Sequence, residues 1–182
     1  MKLIIGLVGE KLAGKDTVAE YIVKKHGAAH FRTSDILEDL LNILGLPITR
    51  RNEIDVGKAM EQTFGDKIIG QALLSRLKKS SATLVINNGL RQEYQFDEAK
   101  AMGAKIIYVT APAELRYARM VKRHQKIDDS GQSFEEFLKQ DKEWIEEAIP
   151  KLGKRADFKI ENVGSLEELY KKVDDIMSQP KA

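Results

Sequence analysis

Lys15 is the residue with the clearest chemistry to perform. It directly follows Gly9-Glu10-Lys11-Leu12-Ala13-Gly14, so two glycines bracket four residues and an ammonium comes next. Before this loop runs Leu3–Val8, an almost unbroken apolar stretch that reads as a strand buried on both faces. After it, Val18, Tyr21 and Ile22 share one face of a helix expected over Lys15–His26. Strand, loop and helix are the context in which G-x-x-x-x-G-K binds phosphate. Glycines let the backbone wrap closely, so the N–H groups of the loop, including those of Gly9, Ala13 and Gly14, converge on anionic oxygens. The helix N-terminus adds its positive end, and Lys15 reaches the outer phosphates. The residue after Lys15 is Asp16, and the hydroxyl usual at that place comes one later, at Thr17. Thr17 either supports magnesium or caps the helix; Asp16 either helps the metal or is a first-turn surface carboxylate.

Other charged residues fall where they could hold a second ligand. Arg32, Arg51 and Arg91 carry guanidinium forks that match a phosphate bidentately, or else form surface ion pairs. Asp35 contacts that ligand or caps its own helix. Arg116, Arg119 and Arg123 recur at i, i+3 and i+7, giving one helix face three cations or a merely solvated basic surface. His26, His30 and His124 lack metal-ligand spacing and read as surface or structural; Trp144 reads as packing.

These residues need a scaffold that brings them together. Short strands are expected at 27–32, 83–87, 105–110 and 157–161, alternating with helical patterns. Thr33-Ser34-Asp35 is a capping cluster for a helix carrying Ile36, Leu37, Leu40, Leu41 and Leu44 up to Gly45. Helices follow at 52–64 and 66–79, then to about Met102, and from Pro112 onward. Ser133 with Glu136 forms a capping box for one helix carrying Phe134, Phe137, Leu138, Ile145 and Ala148, expected to end before Pro150; Ser165 with Glu168 caps the last. The alternation predicts an α/β fold: a three-layer α/β/α sandwich around a five-stranded parallel sheet. Ligands of such sheets lie at the carboxyl ends of the strands, which gathers the Gly9–Thr17 loop, Arg32–Asp35, Asn87–Arg91 and the turn after Thr110 at one edge.

Composition narrows the class. The 182 residues suit one domain, with 32% charged and 42% hydrophobic residues. A net charge of +2 gives no electrostatic footprint for nucleic acid. The absence of cysteine removes thiol chemistry and disulfides and fits a cytoplasmic protein. The N-terminal apolar run is too short for a signal peptide, and no stretch is long enough to span a membrane.

With GKDT followed by Val-Ala-Glu-Tyr-Ile, Thr33-Ser34-Asp35, Val85-Ile86-Asn87-Asn88-Gly89-Leu90-Arg91, Leu115–Arg123 and Ala156–Asn162, the chain resembles P-loop kinases of the nucleoside monophosphate kinase group. The likeness is to phage-type deoxynucleoside monophosphate kinases and the archaeal adenylate-kinase-related family, and more distantly to dephospho-coenzyme A kinases. It covers roughly residues 1–178. It implies a single P-loop NTPase domain with a helical acceptor-binding region at about 33–65, a small lid at about 116–148 and a tail at 179–182. It implies transfer of the γ-phosphate of Mg-ATP to a small phosphate-bearing acceptor, first a nucleoside or deoxynucleoside monophosphate. It casts Lys15, Arg119 and Arg123 as catalytic, Arg119 and Asn162 near the adenine, and Arg32, Asp35, Arg51, Asn88 and Arg91 at the acceptor. The relatives carry aspartate where this chain has Asn88, which keeps the shape and loses the charge; Asp16 or Asp35 could supply it from across the site. A nucleotide-binding switch or weak ATPase acting on a protein or RNA partner is the reading from a different class that Asn88 favours.

Overall fold

The computed structural model describes residues 2–123, 133–142 and 144–179. Its sheet has five parallel strands in the order β2-β3-β1-β4-β5. These are β1 (Leu3–Val8), β2 (Ala29–Arg32), β3 (Leu84–Asn88), β4 (Lys105–Thr110) and β5 (Phe158–Glu161). The central strand β1 is apolar on both sides because both sides are covered. Ile4 and Val8 point into one core with Val85 and Ile106, while Ile5 and Leu7 point into the other with Ile86, Ile107 and Ile160.

Helices form the outer layers. On one face lie α1 (Lys15–His26) and α9 (Leu166–Met177), burying Val18, Ala19 and Ile22 with Leu169, Val173 and Ile176. On the other lie α4 (Ile68–Lys79), α5 (Glu93–Ala101) and α8 (Trp144–Arg155), with Ile36 of α2 (Thr33–Ile43) at the margin. This is the three-layer α/β/α sandwich that the strand and helix alternation predicts. Between α2 and α4 sits α3 (Arg50–Phe64), which lacks a fully buried residue among those described. The chain then runs through α6 (Ala113–Arg123) and α7 (Phe134–Asp141) before α8. Residues 124–132, including His124 and the expected loop at 128–132, lie outside the described residues, as do the Arg123 and Trp144 side chains.

Two local expectations change. The first concerns the stretch after Ser133, where the expected single helix is two. Its capping box holds, with Ser133 N–H donating to Glu136 Oε2 at 2.7 Å. Phe137 is 1% exposed on α7, and Ile149 and Leu152 are buried on α8. At about 100° per residue, one straight helix would point Ile149 about 120° away from Phe137, so the chain breaks to bury both. The helix also passes through Pro150 and ends at Arg155. Proline removes one backbone bond at a cost of ~3 kcal/mol. Burying Ile149 and Leu152 contributes about 2–3 kcal/mol each, which outweighs it.

The second concerns Thr33, which is the first residue of α2 and not a cap. The N-cap is Arg32, and Asp35 closes the box by accepting from the Arg32 backbone N–H at 2.7 Å. The smaller shifts, such as α3 starting at Arg50 and α4 at Ile68, move ends by two residues.

Candidate nucleotide and acceptor site

The strand ends line up as the topology requires. Leu7 pairs with Asn88, Asn88 with Arg32, and Val8 with Tyr108, so the loops after β1, β2, β3 and β4 open on one edge. The Gly9–Gly14 loop leaves β1 there. A Cβ on Gly9 would collide with the Val109 carbonyl oxygen of β4, and one on Gly14 with Asn162 Nδ2. Gly14 also has φ 108°, a left-handed conformation that caps the start of α1. Leu12 takes φ 64°, and no other described non-glycine residue has positive φ.

The carbonyls of this loop from Gly9 to Ala13 each accept from a side chain. Lys15 Nζ donates to Gly9 O at 2.6 Å and Glu10 O at 2.8 Å. Arg116 Nη1 donates to Lys11 O at 3.3 Å, and Arg119 Nη1 to Leu12 O at 3.2 Å and Ala13 O at 3.3 Å. Asn162 Nδ2 also donates to Ala13 O, at 2.8 Å. Within the loop the Ala13 N–H donates to Glu10 O at 3.2 Å. The first helical bond of α1 runs from Val18 N–H to Gly14 O, so the N–H groups of Lys15, Asp16 and Thr17 stand at the helix mouth. These donors at a helix N-terminus, with Lys15 beside them, fit phosphate oxygens.

Support for the loop comes from beneath. Arg119 Nη2 also donates to Asn162 O at 2.8 Å, and burial holds the Arg119 guanidinium below its usual pKa. Arg116 is 5% exposed and forks onto Asp141 of α7 at 2.8 and 2.5 Å. The three-cation face expected of α6 is thus not a surface: its first member is an interior clamp between the loop and α7. The Tyr108 hydroxyl donates to Glu10 Oε1; burial, then that bond, pushes its pKa up to about 12.

Beside the loop is a cleft of about 320 Å³ lined by Asp16, Glu20, His30, Arg32 and Asp35. Bonded to two of these residues is Asn88, 5% exposed, whose Nδ2 donates to Asp16 Oδ1 at 2.8 Å and lies 3.0 Å from His30 Nε2. One amide nitrogen facing two acceptors makes His30 Nε2 an acceptor, with the ring proton on Nδ1. Burial, then the charge of Arg32, lowers the His30 pKa and keeps the ring neutral. Asn88 Oδ1 is buried without a partner among the described residues. The carboxylate that reaches Asn88 is Asp16, one of the two weighed from the sequence.

The remaining expected site residues divide. Asp35 lines the cleft but is bound by Arg32, at 2.7 Å from its Nε. Arg51 is 83% exposed and pairs with Asp55, away from the cleft-lining group. Arg91 follows β3, and its backbone N–H donates to Gln95 Oε1 at 3.0 Å; its side chain is not among the cleft-lining residues. Thr17 stands in the first turn of α1 beside Asp16, and Arg123 closes α6. Two residues of the cleft were not singled out by sequence reading as site residues, His30 and Glu20. Both had a signal: His30 is two before Arg32 on the same strand face, and Glu20 is four after Asp16 on the same helix face.

The comparisons agree with this architecture. The AAA_18 family, described as an AAA domain, matches residues 5–143. A UPF0200 protein of Saccharolobus islandicus is 27% identical over 177 residues, covering 96% of this chain and 90% of that protein. Shikimate kinase from Bacteroides thetaiotaomicron superposes with a TM-score of 0.69 at 13% identity, over 97% of this chain and 99% of that one. Shikimate kinase from Acinetobacter baumannii, in complex with shikimate, gives 0.62 at 19% identity, over 97% and 93%. At such identity these structures speak for the fold. No helix of the described residues is long and apolar enough to cross a membrane.

Proposed function

The chain belongs to the AAA_18 family of AAA domains, and from that premise we propose that it is an ATP-dependent phosphotransferase acting on a small-molecule acceptor. The observation that carries this reading is the glycine loop that opens into the N-terminus of α1, its carbonyls from Gly9 to Ala13 each held by a side chain, with Lys15 at its end and a polar cleft alongside. The loop N–H groups hold the β- and γ-phosphates of ATP. Lys15 exchanges the Gly9 and Glu10 carbonyls for phosphate oxygens, one set of hydrogen bonds for another, so the move costs little. Arg119 ties the loop from behind, and we assign Arg123, the last residue of α6, to neutralise the transferring group, as the family resemblance implies. Asp16 and Thr17 are the residues that would hold magnesium, which would offset the charge of the phosphates.

Little covalent work remains for side chains. The acceptor oxygen attacks the γ-phosphorus in line, and rate comes from positioning and charge neutralisation. The acceptor lies in the cleft from Asp16 to Asp35, against α2. The resemblance to nucleoside monophosphate kinases implies a nucleotide acceptor, and that to dephospho-coenzyme A kinase a larger one. A second reading, a nucleotide switch with weak turnover, is favoured by Asn88, which brings no charge to the metal side.

ADP formation from Mg-ATP against ribo- and deoxyribonucleoside monophosphates, dephospho-coenzyme A and their unphosphorylated counterparts tests this, with Lys15→Ala as the blank. Acceptor-stimulated turnover that vanishes in the blank supports phosphotransfer. Tight ATP binding with no acceptor effect supports the switch.

A further inference from the structure

The charge of the cleft bears on what it can hold. Of its five lining residues, Asp16, Glu20 and Asp35 carry carboxylates and only Arg32 a permanent cation. That cation is paired, its Nη2 lying 2.7 Å from Asp35 and 3.5 Å from Glu38, so it offsets one lining carboxylate and leaves the lining net negative. His30 adds no charge while its Nε2 accepts from Asn88. Lys15 is turned to the Gly9 and Glu10 carbonyls on the donor side, and Arg51 and Arg91 do not line the cleft. Recognition of a phosphate monoester calls for an unspent guanidinium fork or a nest of N–H groups. The described lining offers instead acceptor atoms, the carboxylate oxygens of its walls.

We propose that, within the phosphotransferase reading, the acceptor is a hydroxyl compound that brings no anionic group into this cleft: a neutral polyol, sugar or nucleoside, or an ammonium-bearing alcohol. Its hydroxyl and ammonium hydrogens meet the Glu20 carboxylate, while Asp35 stays with Arg32 and Asp16 with Asn88 and the metal. A phosphate-bearing acceptor would set a dianion against three carboxylates with one cation already paired, the like-charge arrangement by which sites reject a wrong ligand. In the transfer, the acceptor hydroxyl oxygen forms a bond to the γ-phosphorus. The bond from that phosphorus to the β,γ-bridging oxygen breaks, ADP leaves with that electron pair, and the hydroxyl proton passes to a lining carboxylate and then to solvent. This departs from the phosphate-bearing acceptor that the family resemblance implies.

The experiment uses matched pairs with the full chain and Mg-ATP: adenosine and AMP, thymidine and its 5′-monophosphate, ribose and ribose 5-phosphate, ethanolamine and phosphoethanolamine. The expected result is that, in any pair that stimulates ADP formation, the unphosphorylated member has kcat/KM higher by at least about tenfold. Glu20→Lys, an exposed change on α1 with folding checked by circular dichroism, should shrink that preference by about threefold or more. Equal or better turnover of the phosphorylated member, or a preference that Glu20→Lys leaves unmoved, overturns the proposal. If no member of any pair stimulates turnover while ATP still binds through Lys15, the phosphotransferase reading fails and the proposal falls with it.

Discussion

Asn88→Asp is the substitution that tests the site most directly. In the wild type the Asn88 amide nitrogen serves two acceptors, Asp16 Oδ1 at 2.8 Å and His30 Nε2 at 3.0 Å. The substitution puts a carboxylate oxygen where that nitrogen stood, facing another carboxylate and an unprotonated imidazole nitrogen. Two unit charges 2.8 Å apart repel by about 6 kcal/mol at an effective dielectric constant near 20. Asp16 is exposed, so solvent screening and side-chain movement reduce the real cost to roughly 1–2 kcal/mol. The cheapest relief is to take up a proton, on the carboxylate pair or on His30.

The direction with pH follows. In the wild type burial lowers the His30 pKa below its unfolded value, so falling pH through that value favours the unfolded state. In the variant the new carboxylate raises the His30 pKa, and that contribution is complete below the unfolded value and lost as pH rises through the folded one. The carboxylate pair has its pKa raised as well, so it too is relieved as pH falls. The variant should therefore be less stable than wild type by about 1–2 kcal/mol at pH 8 and should close that gap towards pH 5.5. Urea melts across this range measure the gap, and the His30 ring resonances in NMR measure the titration. Magnesium, by sitting between the carboxylates, should raise the melting temperature of the variant more than that of the wild type. A pH-independent gap together with an unmoved His30 titration would refute the hydrogen-bonded chain from Asp16 through Asn88 to His30.

Three further outcomes are expected. Asn162→Ala removes the tie to Ala13 O and leaves Arg119 as that carbonyl's remaining side-chain donor, so stability should drop by about 1–2 kcal/mol and ATP affinity by roughly tenfold; calorimetric unfolding and titration read both. Tyr108→Phe strands the Glu10 carboxylate, whose Oε2 already lacks a partner, and should cost about 1–3 kcal/mol at pH 7 by chemical denaturation. Pro150→Ala restores the missing helix bond at an exposed position and should stabilise α8 by about 1–2 kcal/mol, after allowance for the freer unfolded chain; a lower melting temperature would count against the continuous helix.

The parts of the fold set by local chemistry could be read from the residues alone. Leu3–Val8 and Lys105–Thr110 are apolar runs bounded by loop residues, and both strands fall where the runs do. Lys15–His26 is bracketed by Gly14 and Gly27, each left-handed in the structure, so both ends of α1 are marked. The stretch after Ser133 was misread because Phe134, Phe137, Leu138, Ile145 and Ala148 form one plausible stripe. What divides it is tertiary: Arg116 holds Asp141, while Ile149 and Leu152 are buried in the core that α8 shares with β1 and α5.

The site was legible to the same degree. The phosphate loop is encoded locally, since glycine positions and the lysine that follows fix its backbone. The residues that restrain it come from up to 149 positions away, as Asn162 does at Ala13. No periodicity reports that a given arginine is turned inward, so Arg116 and Arg119 looked alike in sequence while one clamps α7 and the other braces the loop. His30 shows the same limit from the opposite side. Its spacing to other histidines says nothing of its partner, an amide on β3, brought beside it by the β2–β3 pairing of Arg32 with Asn88. An asparagine at position 88 thus does more than withhold a charge. It gives the nitrogen that lets a carboxylate and a neutral imidazole share one partner, and for that reason Asp16, Asn88 and His30 are best tested as a unit.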